Sequence, residues 1–412
     1  MRSGLLGRKL AHSYSPAIHE KLADYSYTLF EKEPDEVEAF LKNGPWDTLN
    51  VTIPYKKTAF ACCTRLSATA EKTGSVNTLL RLPDGELYGD NTDVYGFRCL
   101  LRSLLSEEKT GAGKKALIFG NGGAAPSVRE ALLSLGYAPV IISRRGEDNY
   151  TNLERHRDAK LLVNTTPVGM YPENGQAVAD LLSFPEAEAV LDLIYNPART
   201  ALLLQAEELG IPAANGLLML TAQAKKSAEL FLGKALPDAL IPEITAALER
   251  DLGNLIMIGM PGAGKTTVGR WLAEAMGRPF LDSDEEIEKR TGRKIPEILK
   301  TEGEDFFRRL ETEVLAEFGK RSGCVIAAGG GVVTRKENYP LLHQNGKLIW
   351  LKRPLELLPT EGRPLSEASS PAALYRVREP LYRAFADHAV DNDEHTVENI
   401  LLWYDARGKE KT

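Results

Sequence analysis

NLIMIGMPGAGKTTVGRWLAEAM, residues Asn254–Met276, decides the fold of the second half of this chain, and ALIFGNGGAAPSVREALLSL, residues Ala116–Leu135, decides that of the first. In each, four or five apolar residues read as a buried parallel strand, a glycine turn follows, and the apolar residues beyond it recur with helical spacing. Strand, glycine turn and helix make half of a βαβ unit, so both halves are α/β. No short-period repeat is present, which argues against a solenoid or propeller.

The later loop, Gly259–Thr266, matches GxxxxGK[ST] at every fixed position. Its glycines let successive backbone N–H groups face a phosphate, and the helix N-terminus adds its dipole. Gly262, Ala263, Gly264, Lys265, Thr266 and Thr267 are therefore the candidate ATP-binding residues, with Lys265 over the β/γ oxygens and the Thr266 hydroxyl on Mg²⁺. Downstream, FLDSD (280–284) reads as a short strand ending in two carboxylates, Asp282 and Asp284. One carboxylate would serve the metal's water shell and the other an acceptor hydroxyl, the two tasks of phosphoryl transfer; a polar strand end or helix cap is the alternative. Arg308 has Glu311 three residues on, which alone reads as a surface ion pair. CVIAAGGG (324–331) is an apolar strand closing in three glycines, a run that allows close backbone approach to a ligand.

In the first half, Gly120, Asn121, Gly122, Gly123 and Ala124 form a variant of the dinucleotide fingerprint, which alone is also compatible with a helix-packing turn. The next apolar strand, Ala138–Ile142, ends in Ser143, Arg144 and Arg145, where an acidic residue would accept the ribose 2′-hydroxyl of NAD. Arginines suit the 2′-phosphate, so NADP is expected. Upstream in the chain lie four polar clusters: HSYSP (12–16), NVTIPYKK (50–57), GSVNT (74–78) and GDNTD (89–93). Each alone is compatible with a helix cap or a solvated loop.

The boundary between the halves is placed near residue 250. The expected division is 1–250, comprising a substrate lobe (1–105), a cofactor lobe (106–225) and C-terminal helices (226–250), followed by 251–412. A helix is predicted over Val94–Leu105, leading into a charged hinge loop, Ser106–Lys115.

The 412 residues carry 51 Lys and Arg against 57 Asp and Glu, a net charge of −6, with 43% hydrophobic residues. This is a globular composition, and its acidic balance argues against nucleic acid as a main partner. The four cysteines (Cys62, Cys63, Cys99 and Cys324) lack CxxC spacing and suit reduced thiols better than a disulfide scaffold or a zinc cage. No apolar run approaches the roughly 18 residues of a membrane span, and the start lacks a signal-peptide core. A cytoplasmic location is expected, with small molecules as partners, no nucleic acid and no membrane; a homodimer is left open.

With GMPGAGKTT, LDSD, FRRLE, AAGGGVV, GRPLSE and REPLYRAFAD in this order, residues 254–405 resemble shikimate kinase, a relative of the nucleoside monophosphate kinases. The resemblance implies that Asp284, Arg308, Gly330, Gly331 and Arg378 hold shikimate, the two arginines clamping its carboxylate. Asp284 joins Lys265 as a catalytic residue, Asp282 and Thr266 support Mg²⁺, and Arg363 in the lid reaches the ATP phosphates. Guanidinium forks suit a carboxylate, and a cationic lid residue suits transferring charge. The stretch KRPLELLPTEGRP (352–364) departs from the family: it is short, broken by prolines, and lacks extra lid arginines.

Residues 1–245 resemble shikimate dehydrogenase through the clusters above together with NTTPVGM (164–170), DLIYNP (192–197) and NGLLMLTAQA (215–224). By that resemblance Lys56 and Asp93 form the catalytic pair. Ser13, Ser15 and Thr52 meet the substrate carboxylate, while Asn77, Asp93, Gln223 and the nearby Tyr195 face its ring. Gly120–Ala124 cradles the pyrophosphate, Ser143, Arg144 and Arg145 meet the 2′-phosphate, and Gly216 sits near the nicotinamide. An ammonium at Lys56 suits an oxyanion that develops as hydride adds to a ketone.

The expected fold is α/β throughout: a two-lobed dehydrogenase with a Rossmann-type NADP-binding lobe, then a P-loop kinase domain of the nucleoside monophosphate kinase type. The expected function is bifunctional, with NADPH-dependent reduction of 3-dehydroshikimate and MgATP-dependent phosphorylation of shikimate at the hydroxyl so created. The alternatives are a quinate or NAD preference in the first half, or one half acting as a non-catalytic sensor.

Overall fold

The structure is a computed structural model that describes residues 1–11, 13–105, 111–358 and 370–410. His12, residues 106–110 of the hinge loop, and residues 359–369 of the expected lid, Arg363 among them, lie outside the described residues. The chain forms two compact units: Met1–Gly169 with Gln176–Tyr195 and Gln205–Thr245, and Ala246–Thr412 with Met170–Gly175 and Asn196–Leu204. Both are α/β, as expected. No helix among the described residues is long and apolar enough to cross a membrane.

The first unit holds two sheets. One comprises β1 (Arg2–Gly7), β2 (Ser26–Glu31), β3 (Thr48–Val51), β4 (Arg65–Leu66), β5 (Thr78–Arg81) and β6 (Leu87–Asp90), in the order β2-β1-β3-β5-β6-β4. It is mixed: β1 pairs in parallel with β2 and β3, whereas β5 runs antiparallel to β3 and β6. Its core is built on Trp46, Leu49, Val51 and Leu79, all buried. The ends of β3 and β6 and the start of β5 lie side by side, and this end of the sheet carries the polar clusters.

The other sheet comprises β7 (Lys115–Phe119), β8 (Ala138–Ile142), β9 (Leu161–Asn164), β10 (Ala189–Asp192) and β11 (Ala213–Asn215), all parallel, in the order β11-β10-β9-β7-β8. The strand order reverses beside β7, and open parallel sheets bind ligands at such a switch point. The glycine loop leaves β7 there.

The predicted helix runs over Asp93–Leu104 and packs along the helix Leu217–Leu232. Gly96 makes that contact close, since a Cβ at this position would lie 2.6 Å from the Met219 carbonyl oxygen. Asp93 at the start of one helix thereby comes next to Gln223 on the other.

The second unit is built on β12 (Asn254–Ile258), β13 (Phe280–Asp282), β14 (Val325–Ala327), β15 (Gly346–Lys352) and β16 (His388–Asp391), all parallel, in the order β13-β14-β12-β15-β16. The three inner strands carry continuous buried apolar runs, Leu255–Ile258, Val325–Ala327 and Leu348–Leu351, as burial on both faces requires. β12 is central, so its glycine loop is flanked by the residues that follow β14 and β15.

Candidate active sites

In the first unit, β3 delivers Thr52 and, one short turn later, Lys56 at the start of the helix Lys56–Cys62. Lys56 Nζ lies 2.5 Å from Asp93 Oδ2, with both side chains largely shielded from solvent. Asp93 occupies the first turn of its helix, where the positive end of the dipole favours an anion. Its other oxygen, Oδ1, accepts a hydrogen bond from Asn77 Nδ2 at 2.9 Å. Asn77 Nδ2 also reaches Gln223 Oε1 at 3.3 Å. Four of the residues singled out in sequence therefore form one connected polar group.

At the rim, Ser15 donates its N–H to Ser13 Oγ at 3.3 Å as the helix Ser15–Leu22 begins. Between these serines Tyr14 packs on Tyr195, ring centroids 5.4 Å apart. Burial pushes the Tyr195 phenol up to about 12, so it remains a neutral hydrogen-bond donor at physiological pH.

Gly120 holds φ +100°, a region L side chains rarely adopt, and a Cβ there would lie 2.7 Å from Thr166 Cγ2. The turn it makes ends at the N-terminus of the helix Ala125–Ser134. At Gly122 the space that a Cβ would fill is open. Arg144 and Arg145 are exposed in the turn after β8, and neither pairs with a carboxylate among the described residues. Ser143 donates its N–H to the Asp148 carbonyl at 3.2 Å. Gly216 caps the Leu217–Leu232 helix and donates its N–H to the Ile194 carbonyl at 3.1 Å. An open glycine turn on a helix N-terminus, with free guanidinium groups beside it, fits a pyrophosphate and a 2′-phosphate.

In the second unit, Lys265 Nζ folds over the loop to the carbonyls of Gly259 and Met260, at 3.0 and 3.1 Å. Thr266 Oγ1 donates to Asp282 Oδ2 at 2.7 Å, which joins the two residues expected near Mg²⁺. Asp282 Oδ1 accepts the N–H groups of Asp284 and Glu285, so Asp282 rather than Asp284 caps the helix Ser283–Thr291. Asp284 faces inward instead. Burial, with Glu311 and then Asp282 close by, raises its carboxyl to about 7.

Arg308 and Glu311 are not the surface pair the sequence suggested. They are 5% and 0% exposed, with Arg308 Nη1 2.8 Å from Glu311 Oε2, because this face of the helix Glu304–Phe318 packs inward. The glycine run lies against them. A Cβ at Gly329 would meet Glu311 Oε1 at 2.2 Å and Asp284 Oδ1 at 3.0 Å, and one at Gly331 would strike the Arg308 guanidinium. These two carboxylate oxygens, Asp284 Oδ1 and Glu311 Oε1, are buried without a hydrogen-bond partner. Such atoms are costly to leave unpaired and suit incoming hydroxyl donors. Arg378 Nη1 and the Tyr382 hydroxyl both bind the Gly330 carbonyl, Arg378 at 3.1 Å.

Comparison with known proteins matches these halves separately. A shikimate kinase family model covers residues 261–404, and a model of the shikimate dehydrogenase substrate binding domain covers residues 5–79. A shikimate kinase of Burkholderia thailandensis is 41% identical over 157 residues, 36% of this chain and 85% of that one. A shikimate dehydrogenase (NADP(+)) of a Synechococcus species is 36% identical over 260 residues, 56% of this chain and 87% of its own length. The chain belongs to both families. It is a bifunctional shikimate-pathway enzyme, an oxidoreductase joined to a kinase. Among solved structures, the shikimate 5-dehydrogenase of Thermus thermophilus, in complex with NADP(H) and shikimate, is 30% identical with a TM-score of 0.54 over 60% of this chain and 99% of that one.

Sequence reasoning missed three features of these sites. Glu311 reads in sequence only as the surface partner of Arg308, because an i, i+3 pair on a charged helix gives no sign of burial. Thr166, against Gly120, stood in a quoted motif without a role. Ser227, one turn beyond Gln223, is fully buried and hydrogen-bonds Asn50, Thr78 and Thr92 at 2.8–3.0 Å, fixing the dehydrogenase site's helix to its sheet. A lone serine after two lysines in a helix carries no signal of this kind.

Proposed function

We propose that the dehydrogenase half reduces 3-dehydroshikimate to shikimate with NADPH and that the kinase half phosphorylates the resulting 3-hydroxyl from MgATP. The observation that carries the first assignment is the Lys56–Asp93 pair joined to Asn77 and Gln223. NADPH, when bound, supplies the hydride, with Gly120–Ala124, Ser143–Arg145 and Gly216 as its holding residues. Lys56 donates its proton to the carbonyl oxygen as negative charge develops there, and Asp93 keeps the ammonium aimed at that oxygen. Ser13, Ser15 and Thr52 take the carboxylate, and Asn77, Gln223 and Tyr195 orient the ring.

In the kinase half, Arg308 and Arg378 take the shikimate carboxylate. Asp284 accepts the proton of the attacking hydroxyl, a role that its raised pKa suits, since a base is most effective near the working pH. MgATP, when bound, supplies the phosphoryl group, with the 262–267 loop, Thr266 and Asp282 as its holding residues. Arg378 and the Tyr382 hydroxyl together hold the Gly330 carbonyl.

The domain division near residue 250, the cytoplasmic location and the restriction to small-molecule partners belong to this reading. Two exposed arginines in the turn after β8, Arg144 and Arg145, favour NADP over NAD, and the kinase half's need for shikimate favours shikimate over quinate. The experiment is direct: purified protein receives 3-dehydroshikimate, NADPH and MgATP, and the products are resolved by mass. Shikimate without ATP and its monophosphate with ATP are expected. Shikimate alone under both conditions would leave the second half as a sensor.

A further inference from the structure

Two consecutive carbonyls of the phosphate loop are held from outside the loop. Arg353, the first residue beyond β15, donates Nη1 to the Gly262 carbonyl at 3.0 Å. Asn392, the first beyond β16, donates Nδ2 to the Ala263 carbonyl at 2.6 Å. Arg353 is half-buried and pairs with no carboxylate among the described residues. We propose that Arg353, seconded by Asn392, is a positioning residue for ATP: it clamps the outer side of the phosphate loop and sets the affinity of the kinase site for nucleotide. This rests on the kinase reading above.

In a trans peptide the C=O and N–H point in opposite directions, so a carbonyl pinned outward aims the following N–H inward. Holding the Ala263 carbonyl therefore aims the Gly264 N–H toward the space where a phosphate binds. The Gly262 carbonyl belongs to the peptide of Ala263, whose N–H closes a turn onto Met260 at 3.1 Å, so the bond from Arg353 fixes that turn. The loop's inner tether, by contrast, is Lys265, which lies on Gly259 and Met260. When Lys265 turns to a phosphate it releases those carbonyls, while the clamp of Arg353 and Asn392 stays. A glycine-rich loop without such a clamp would lose entropy on binding, and a preorganised one does not. The guanidinium also places a positive charge behind the loop.

Kinase kinetics of the full chain test this with Arg353→Met, which removes the donor but keeps much of the bulk. The KM for ATP rises about tenfold, as expected for loss of a charge-assisted hydrogen bond, while the KM for shikimate and the dehydrogenase rate hold. Arg353→Lys recovers most of the ATP affinity. An ATP KM within twofold of the parent overturns the proposal, as does an equal rise in both KM values. Should Arg353→Met fail to fold, Asn392→Ala carries the same expectation and the same contradicting result. If the parent protein itself fails to phosphorylate shikimate, the kinase reading falls, and calorimetry with MgADP decides the clamp: weaker binding by the variant supports it, equal binding overturns it.

Discussion

Lys56 Nζ and Asp93 Oδ2 are 2.5 Å apart although 37 residues separate them in the chain. The distance is closed by three strands of one sheet: Lys56 follows β3, Asp93 follows β6, and β5 lies between them. A largely shielded ion pair of this kind costs desolvation, and removal of one partner leaves the other unpaired.

Asp93→Asn keeps the shape and removes the charge. It should lower dehydrogenase turnover by roughly 10²–10⁴-fold, the usual worth of positioned acid–base catalysis, with kinase turnover unchanged. Steady-state rates for both reactions on the same preparation check it; a loss below tenfold would remove Asp93 from the reaction.

The kinase pH profile should follow Asp284. Its carboxyl is raised to about 7 by burial beside Glu311 and Asp282, so the proton-accepting form grows as pH rises through 7 and disappears below it. The kinase rate is expected to climb from pH 6 to 8, and Asp284→Asn should be nearly inactive throughout. A profile flat across that range, at saturating substrates, counts against the assignment.

Glu311→Ala should weaken the kinase half in two ways. Removing one partner of a buried pair costs about 3–5 kcal/mol, although Arg308 keeps its second contact to Glu304 at 2.9 Å. With Arg308 free to swing, the KM for shikimate should rise more than that for ATP. Denaturant melts and paired KM values measure both effects; a variant with both KM values unchanged would make Glu311 purely structural.

His19 gives the dehydrogenase half an acid sensitivity. Burial against Tyr27, 3.9 Å between ring centroids, lowers its pKa from 6.5 to about 3. The folded state therefore holds it neutral while the unfolded chain protonates it, so stability is full above pH 6.5 and is lost as pH falls toward 3. The slope approaches ~1.4 kcal/mol per pH unit within that window. His19→Leu should flatten melting temperature against pH between 6.5 and 4.5; the same slope in the variant would place the sensitivity elsewhere.

The sequence was most legible where backbone conformation dictates residue type. The loops at Gly120 and Gly259 could be read because strand, glycine and helix follow each other directly, and the catalytic candidates could be named because resemblance to two families supplied the order of motifs. Pairings across distant segments were not legible. Nothing in a single chain says that Ser227 meets Asn50, that Gly96 admits a helix, or that the FRRLE helix turns Arg308 and Glu311 inward. Those follow from packing, which depends on which helix face the sheet covers.

The central claim is that one chain carries two independent sites for the same cyclohexene carboxylate. Lys56→Ala and Lys265→Ala, each assayed for both reactions, test it most directly. The account predicts that Lys56→Ala loses dehydrogenase turnover and keeps kinase turnover, and that Lys265→Ala does the reverse. Loss of both activities in either correctly folded variant would contradict it.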